Sequence, residues 1–371
     1  MFFYLMLVFT LIAILPEVVI WPCYAMRLPM AWRILYAATT LWVAFSLWVM
    51  HTWPFGHVRS LRFFFLTLIF LIMPKMVFVI LAPVVGWGWA LAVCLIAILC
   101  FTYGLIWGWR RLSVREVTCS SPLLPEAFDG YRILQISDLH VGTLASHPEV
   151  VSRVVEMGNA QNADLIVFTG DLVNHEVGEA EPFVEVLAGL RAPDGVLAIL
   201  GNHDYVDHRH FDHLLALERR MGWRTLVDEH VTLHRGDDSI HVIGVGHICS
   251  DPELTYGDLE KAAEGLPEHS FRILLSHNPA HWHLPGLRDS DIPLTLSGHT
   301  HGAQLCVFGW SPARLMYKEW GGAYHKGQRM LYVSLGISGT VPFRLGAWPE
   351  INVITLRRSS PKPATGSPRQ G

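Results

Sequence analysis

The chain offers no disulfide framework. Its six cysteines contain no C-x-x-C pair, and Cys23, Cys94 and Cys100 fall in or beside apolar runs, while Cys119, Cys249 and Cys306 are scattered singly, as reduced thiols are. A basic excess is missing as well. The formal net charge of −4 leaves no electrostatic footprint for a phosphate backbone, which argues against a nucleic-acid partner. No basic residue precedes the apolar run at the N-terminus, so the n-region of a cleaved signal peptide is absent and that run reads as a retained span. No internal repeat is found. Charged residues are scarce, 16% against 51% apolar, over 371 residues, a length that accommodates roughly two domains. The two kinds of residue are segregated. Residues 1–109 carry the long uncharged runs, whereas all but His51 and His57 of the 20 histidines follow residue 120.

Four stretches are long and apolar enough to cross a bilayer: Phe2–Pro22, Ile34–Met50, Phe63–Val85 and Trp87–Trp109. Glu17 is the only charge in the first. Pro74-Lys75 interrupts the third near its middle, and an ionisable residue there reads as a functional site, as a snorkelling lysine, or as a kink facing a neighbouring helix. Tryptophans at 21, 32, 42, 48, 53, 87, 89, 107 and 109 mostly gather near the proposed ends, as an interfacial belt would. With four spans, Arg59, Arg62, Arg110, Arg111 and Arg115 lie on one side, and Arg27 and Arg33 on the other. The positive-inside rule then places the C-terminal part in the cytoplasm.

The expected organisation is a transmembrane helical region over 1–109, a linker over 110–130 with one strand near Val114–Thr118, a second folded domain over 131–358 and a disordered tail over 359–371. From Tyr131 onward, short apolar strands alternate with helical periods. Ile133–Ser137 precedes a helix near Glu149–Ala160, Leu165–Thr169 another near Ala180–Leu190, and Val196–Leu200 a third over Phe211–Met221. This is an α/β pattern. Val231–His234 and Ile240–Val245, either side of Arg235-Gly-Asp-Asp238, read as a hairpin, and strands at Met330–Ser334 and Ile351–Arg357 add further sheet. Two packed sheets with helices outside fit the mixture.

The chemistry gathers at strand ends. Ile133–Ser137 runs into Asp138-Leu-His140, Leu165–Thr169 into Gly170-Asp171, Val196–Leu200 into Gly201-Asn202-His203-Asp204, Phe271–Ser276 into His277, and Ile292–Leu296 into Ser297-Gly-His299-Thr-His301-Gly302. Carboxyl ends of neighbouring strands lie side by side, so these loops would pool Asp, Asn and His at one edge, in outline a two-metal site. Each has a plainer reading. Asp138 and His140 are also a turn aspartate and a surface histidine, Gly170-Asp171 a turn, and Asn278-Pro279 the cap and first residue of a helix. His281 and His283 read as a polar helix face or rim; His208, His210 and His213 as an access loop or a solvated helix start. Arg344 reads equally as a phosphate contact or a surface ion pair.

The ordered set D-x-H, G-D, G-N-H-D, a lone His after a strand, then G-H-T-H resembles the calcineurin-like metallophosphoesterase superfamily, in its membrane-anchored bacterial type, from about Tyr131 to Leu356. The resemblance implies a β-sandwich flanked by helices with two divalent ions at its edge. It would give Asp138, His140 and His301 to one ion, Asn202, His277 and His299 to the other, and Asp171 to both. His203 falls on the family's catalytic histidine, and Asp204 on the acid that orients it. Ala303 stands where such sequences often have a second glycine. Histidine-rich mixed shells suit Mn, Fe or Zn. The function so implied is a membrane-anchored phosphoester hydrolase, cleaving a phosphodiester or pyrophosphate bond through a hydroxide that two metals activate. Lipid pyrophosphohydrolases acting on UDP-diacylglucosamine are among its similar members. A reading of another class is a membrane sensor or scaffold that binds ligand without turnover; the intact apparent ligand set, with His203 beside it, argues against that.

Overall fold

The computed structural model describes residues 2–52, 58–207 and 210–360. Trp53, His208 and the part of the expected tail from residue 361 onward lie outside the described residues, as does the side chain of Arg59. The chain forms two compact units, Met1–Gly108 and Trp109–Gly371.

The first unit is helical. Helix α1 spans Phe2–Cys23 and α2 Met30–Thr52; α3 (Val58–Thr67) passes through a π-helical turn, Leu68–Ile72, into α4 (Met73–Val85), and α5 covers Trp87–Ile106. Four helical stretches, Leu7–Arg27, Met30–Thr52, Ser60–Val85 and Trp87–Arg110, are long and apolar enough to cross a membrane. Their outward faces carry Leu11, Leu41, Val84, Trp89 and Leu95, all exposed, a distribution suited to hydrocarbon. Glu17 and Lys75 neither snorkel nor stand alone. They form an ion pair, and Glu17 Oε2 also accepts from Tyr36 Oη and Thr40 Oγ1, both at 2.7 Å. Pro74 lies just after the π-helical turn of this continuous helical stretch, where the wider turn accommodates a residue without an N–H.

The second unit is a two-sheet sandwich. Its strands are β1 (Ser113–Ser121), β2 (Arg132–Ile136), β3 (Leu165–Thr169), β4 (Val196–Ile199), β5 (Trp223–Thr225), β6 (Glu229–Arg235), β7 (Asp238–Gly244), β8 (Arg272–Leu275), β9 (Leu294–Ser297), β10 (Gly322–Lys326), β11 (Arg329–Val333) and β12 (Glu350–Arg358). One sheet has the order β1-β12-β2-β3-β4-β5, the other β10-β11-β9-β8-β7-β6. Strands β2 to β5 are parallel, as are β7, β8, β9 and β11. Alternation sets the layers. Ile133, Leu165, Val167 and Leu197 face Val242, Ile273, Leu275 and Leu294 between the sheets. Leu134, Ile166, Phe168 and Ala198 point the other way, onto helices Pro148–Asn159, Val184–Leu187 and Phe211–Arg220. The sandwich flanked by helices is therefore the observed α/β architecture.

Three local readings change. β1 is longer than expected and pairs with β12 from Ser113↔Glu350 to Ser121↔Arg358, so the first half of the connector is largely sheet edge. The helix expected over Ala180–Leu190 is a 3-10 stretch, Val177–Phe183, followed by one α-turn, because Pro182 removes a donor there. Asn278 accepts from the Ala280 amide, but it opens only a 3-10 turn, Pro279–His283.

Candidate metal centre

The parallel runs β2-β3-β4 and β8-β9 both end at the same edge of the sandwich. His277 Nδ1 donates across the gap to the Thr169 carbonyl at 2.7 Å, and Gln135 Nε2 to the Ser297 carbonyl at 2.9 Å, so the two sets of loops are tied together. Two clusters result. Asp138, His140, Asp171 and His301 bring one ligand atom each within 4.8 Å of one another, and Asp171, His277 and His299 do the same. Asp171 belongs to both. Its Oδ2 lies 3.5 Å from His140 Nε2 and 3.2 Å from His277 Nε2; His301 Nε2 is 3.5 Å from Asp138 Oδ1. Two donors each about 2.0–2.2 Å from a common ion stand roughly 3–3.5 Å apart, so these separations match a shared cation.

The backbone accepts strain to make this cluster. Asp138, His140, Asp171, His299 and His301 all have positive φ, between 44° and 74°, a region L-residues avoid unless their surroundings hold them there. Ala303 also sits at φ +48°, so the methyl group that replaces a glycine is carried in left-handed backbone. Gly201 is required by close approach: a Cβ on it would stand 2.8 Å from Asp171 Cγ.

The donor set fits divalent ions. His140 is fully buried with neither ring nitrogen hydrogen-bonded among the described residues, and the buried Asn202 Oδ1 likewise has no partner. Such orphaned atoms are costly unless a ligand satisfies them. Burial, with neighbouring histidines, holds His140 and His299 well below the usual imidazole range and pushes His301 down to about 4. Neutral imidazole is the ligating form. His277 differs: burial alone would lower it, but the Asp171 charge overcomes this and raises it to about 9.

His203 stands beside the first cluster, its ring 4.8 Å from that of His140, and its amide donates to Asp171 Oδ1 at 2.9 Å. Asp204 does not orient that ring among the described contacts. Its buried carboxylate instead accepts from the amides of Gly201, Asp171, Leu172 and Val173, at 2.8–3.2 Å, and so fixes the Gly170-Asp171 loop. The Asn174 carbonyl takes the orienting place, 2.6 Å from His203 Nδ1. Arg344 is neither a surface ion pair nor open to substrate. It is fully buried and donates to the carbonyls of His301, Ala347 and Ser338, which holds the His301 turn; desolvation pushes its guanidinium down to about 10. His281 is likewise no polar face: it is buried against the Ser276 hydroxyl, 2.8 Å away. His283 pairs with Glu319, while His210 and His213 pair with Asp207 and Glu181 on the surface. Sequence reasoning missed His247. Its buried ring lies 5.7 Å from His299 and 5.9 Å from His277, and its signal, Val245-Gly246-His247 after β7, repeats the strand-then-glycine pattern of the β3, β4 and β9 loops.

A sandwich with paired Asp/His clusters at its edge defines a candidate two-metal protein, and comparison with known proteins names the family. Residues 131–303 match the calcineurin-like phosphoesterase model. The metallophosphoesterase YkuE of Bacillus subtilis is 32% identical over 263 residues, covering 68% of this chain and 87% of YkuE. The transmembrane protein with metallophosphoesterase domain of Danio rerio is 30% identical over 277 residues, and that of Bos taurus 31% over 280; each alignment covers 72% of this chain and 62% of the relative. The chain belongs to the calcineurin-like phosphoesterase family. That membership implies divalent metals and phosphoester hydrolysis, and the chain carries four helices long and apolar enough to cross a membrane, as befits its similarity to relatives named as transmembrane proteins.

Proposed function

We propose that this is a membrane-anchored, two-metal phosphoester hydrolase whose catalytic unit, about residues 131–358, faces the cytoplasm and cleaves a phosphodiester or pyrophosphate bond in a lipid-linked substrate of the UDP-diacylglucosamine kind. The observation that carries the reading is the pair of donor clusters joined at Asp171 with His203 alongside. Asp138, His140 and His301 would hold one ion, Asn202, His277 and His299 the other, and Asp171 both. Two divalent ions held there supply Lewis acidity toward the phosphoryl oxygens and the attacking water. The protein's own groups do the rest. His203 Nδ1–H donates to the Asn174 carbonyl, which leaves Nε2 to carry a proton toward the leaving oxygen. Asp204 acts through the loop it braces, keeping Asp171 in its left-handed conformation between the clusters. His247 stands close enough to the second cluster to contact a bound phosphate.

The test is Asp171→Asn. Loss of the bridging charge where two cations repel should lower metal content from near two per chain and abolish hydrolysis of an aryl phosphodiester. Chelation should do the same to the parent protein, with Mn²⁺ restoring more activity than Mg²⁺, because imidazole disfavours the hard, hydrated ion. Full turnover in a chelated sample without bound metal defeats the proposal. The arginine asymmetry supports the cytoplasmic side, and a reporter fused after Arg358 should be active only there; activity confined to the outside would mean that the spans are miscounted.

A further inference from the structure

The turn that carries His299 and His301 is continuous with a segment whose surface is unlike the rest of the second unit. Val307 and Trp310 exchange backbone hydrogen bonds of 2.9 and 3.0 Å, forming a tight hairpin with Phe308 and Gly309 at its tip, φ +51° and +76°. Phe308 is 105% exposed, and Leu315 and Met316 are 79% and 62% exposed, with Trp310 and Val307 flanking them at 48% and 44%. Soluble surfaces scatter such side chains singly; a cluster of this size on one short segment marks an interaction site. The segment is firmly based. The Ser311 hydroxyl donates to the Gly302 carbonyl at 2.6 Å, the Cys306 amide to the Leu345 carbonyl at 2.8 Å, and Tyr317 Oη lies 2.8 Å from His299 Nε2.

The geometry points to a bilayer-docking element over residues 305–318, which inserts Phe308, Trp310, Leu315 and Met316 into the headgroup–acyl boundary of an anionic membrane. Charge selects the occupant. Residues 303–318 contain no acidic side chain, and Arg314 and Lys318 are both exposed with no acidic partner among the described residues. Aromatic and aliphatic tips with flanking basic residues suit a lipid interface, where the apolar groups reach the acyl boundary and the cations stay among the phosphates. A bilayer is also at hand, since the same chain carries four helices long and apolar enough to span one, and tethering makes a weak surface contact effectively intramolecular. On the phosphoesterase reading above, seating this segment brings lipid phosphates to the turn bearing His299. The contact itself does not depend on turnover.

The full chain with Phe308→p-benzoylphenylalanine, reconstituted into phosphatidylcholine–phosphatidylglycerol vesicles and irradiated, should give a phospholipid adduct on the peptide containing position 308. Asp237→p-benzoylphenylalanine, at the exposed tip of the β6–β7 hairpin, serves as the reference and should give none. Neutral phosphatidylcholine vesicles, or the added pair Arg314→Glu and Lys318→Glu, should lower the yield at 308 several-fold. A yield at 308 no greater than at 237, or an adduct to another protein chain in place of lipid, overturns the proposal; equal yield in neutral and anionic vesicles overturns its charge selectivity. Because no step reads hydrolysis, a catalytically dead protein that still forms the adduct separates this inference from the proposed activity.

Discussion

Each unit holds a cluster of titratable groups, half-buried in the helical unit and buried in the sandwich, and the two clusters are satisfied in opposite ways. In the helical unit, Glu17 meets Lys75, Tyr36 and Thr40, so its charge is neutralised and its lone pairs are occupied within the unit. In the sandwich, His140 and Asn202 bury polar atoms with no hydrogen-bond partner among the described residues, and five neighbouring site residues occupy positive-φ backbone. A cluster that answers its own valences has a sufficient account in folding. A cluster that leaves donors aimed at a common point, and holds strained backbone to do so, requires something the chain does not supply. The difference separates a structural ion pair from a ligand site without reference to any relative.

The largest effect that sharpens this comparison is expected at His203. It belongs to neither donor cluster, so His203→Ala should leave metal stoichiometry near two while kcat falls, typically by ~10²–10⁴ for a lost general acid. The loss should be greater for an alkoxide leaving group than for p-nitrophenolate, which scarcely needs a proton. Equal losses on both would move His203 from proton donor to phosphoryl-oxygen contact, and metal loss would place it among the ligands.

Next in size is the helical cluster. Lys75→Met leaves the half-buried Glu17 without its cation, held only by Tyr36 and Thr40, which should cost about 1–3 kcal/mol, whereas Glu17→Gln with Lys75→Met should recover most of it. Thermal unfolding of the full chain in detergent reads the difference. If the single variant unfolds like the parent, the pair is not a structural closure and the comparison fails on that side. Hydrolysis of a soluble aryl phosphodiester should be nearly unchanged in the double variant, because no site residue is touched.

Much of the sandwich and its edge cluster could be read from the chain because a short apolar strand running straight into Asp, Asn or His is a local pattern repeated at β2, β3, β4, β8 and β9, with a glycine between strand and ligand at β3, β4 and β9. The structure gathers Asp138, His140, Asp171, His277, His299 and His301 into two clusters that share one carboxylate. What escaped has no local signature. The Asn174 carbonyl that holds His203 is a backbone group, identical in kind to every other. Arg344 is buried only because the 338–347 segment folds over it, and a lone arginine between prolines reads as surface. Glu17 and Lys75 are 58 residues apart, so each alone reads as a misfit in an apolar helix. His247 carries the strand-glycine-histidine signal of the β9 loop, but it follows a strand whose pattern reads equally as one arm of a hairpin.

Glu218 supplies the smallest and sharpest test, because it breaks the rule that an orphaned buried atom implies a metal. It is fully buried on the helix Phe211–Arg220; Thr225 Oγ1 donates to Oε2 at 2.5 Å, and Oε1 has no partner among the described residues. Among the described residues no imidazole or second ligating carboxylate groups with it, so a proton, not an ion, should complete it. Burial, reinforced by the Asp204 charge, pushes its carboxyl up to about 8. The sign follows from linkage. Below the unfolded value both states are protonated and the carboxyl costs nothing; between about pH 4.5 and 8 the unfolded chain releases the proton while the folded chain keeps it. Stability from this group therefore falls as pH rises through that window, by up to about 1.4 kcal/mol per pH unit, and levels off above it. Glu218→Gln cannot ionise, so it should remove that part of the slope, leaving the variant more stable than the parent at pH 8 and no more stable at pH 4.5. Metal content should be the same in both. Parallel stability curves would mean that Glu218 is ionised and paired in the fold, and a drop in metal content would return its orphaned oxygen to the ligand class.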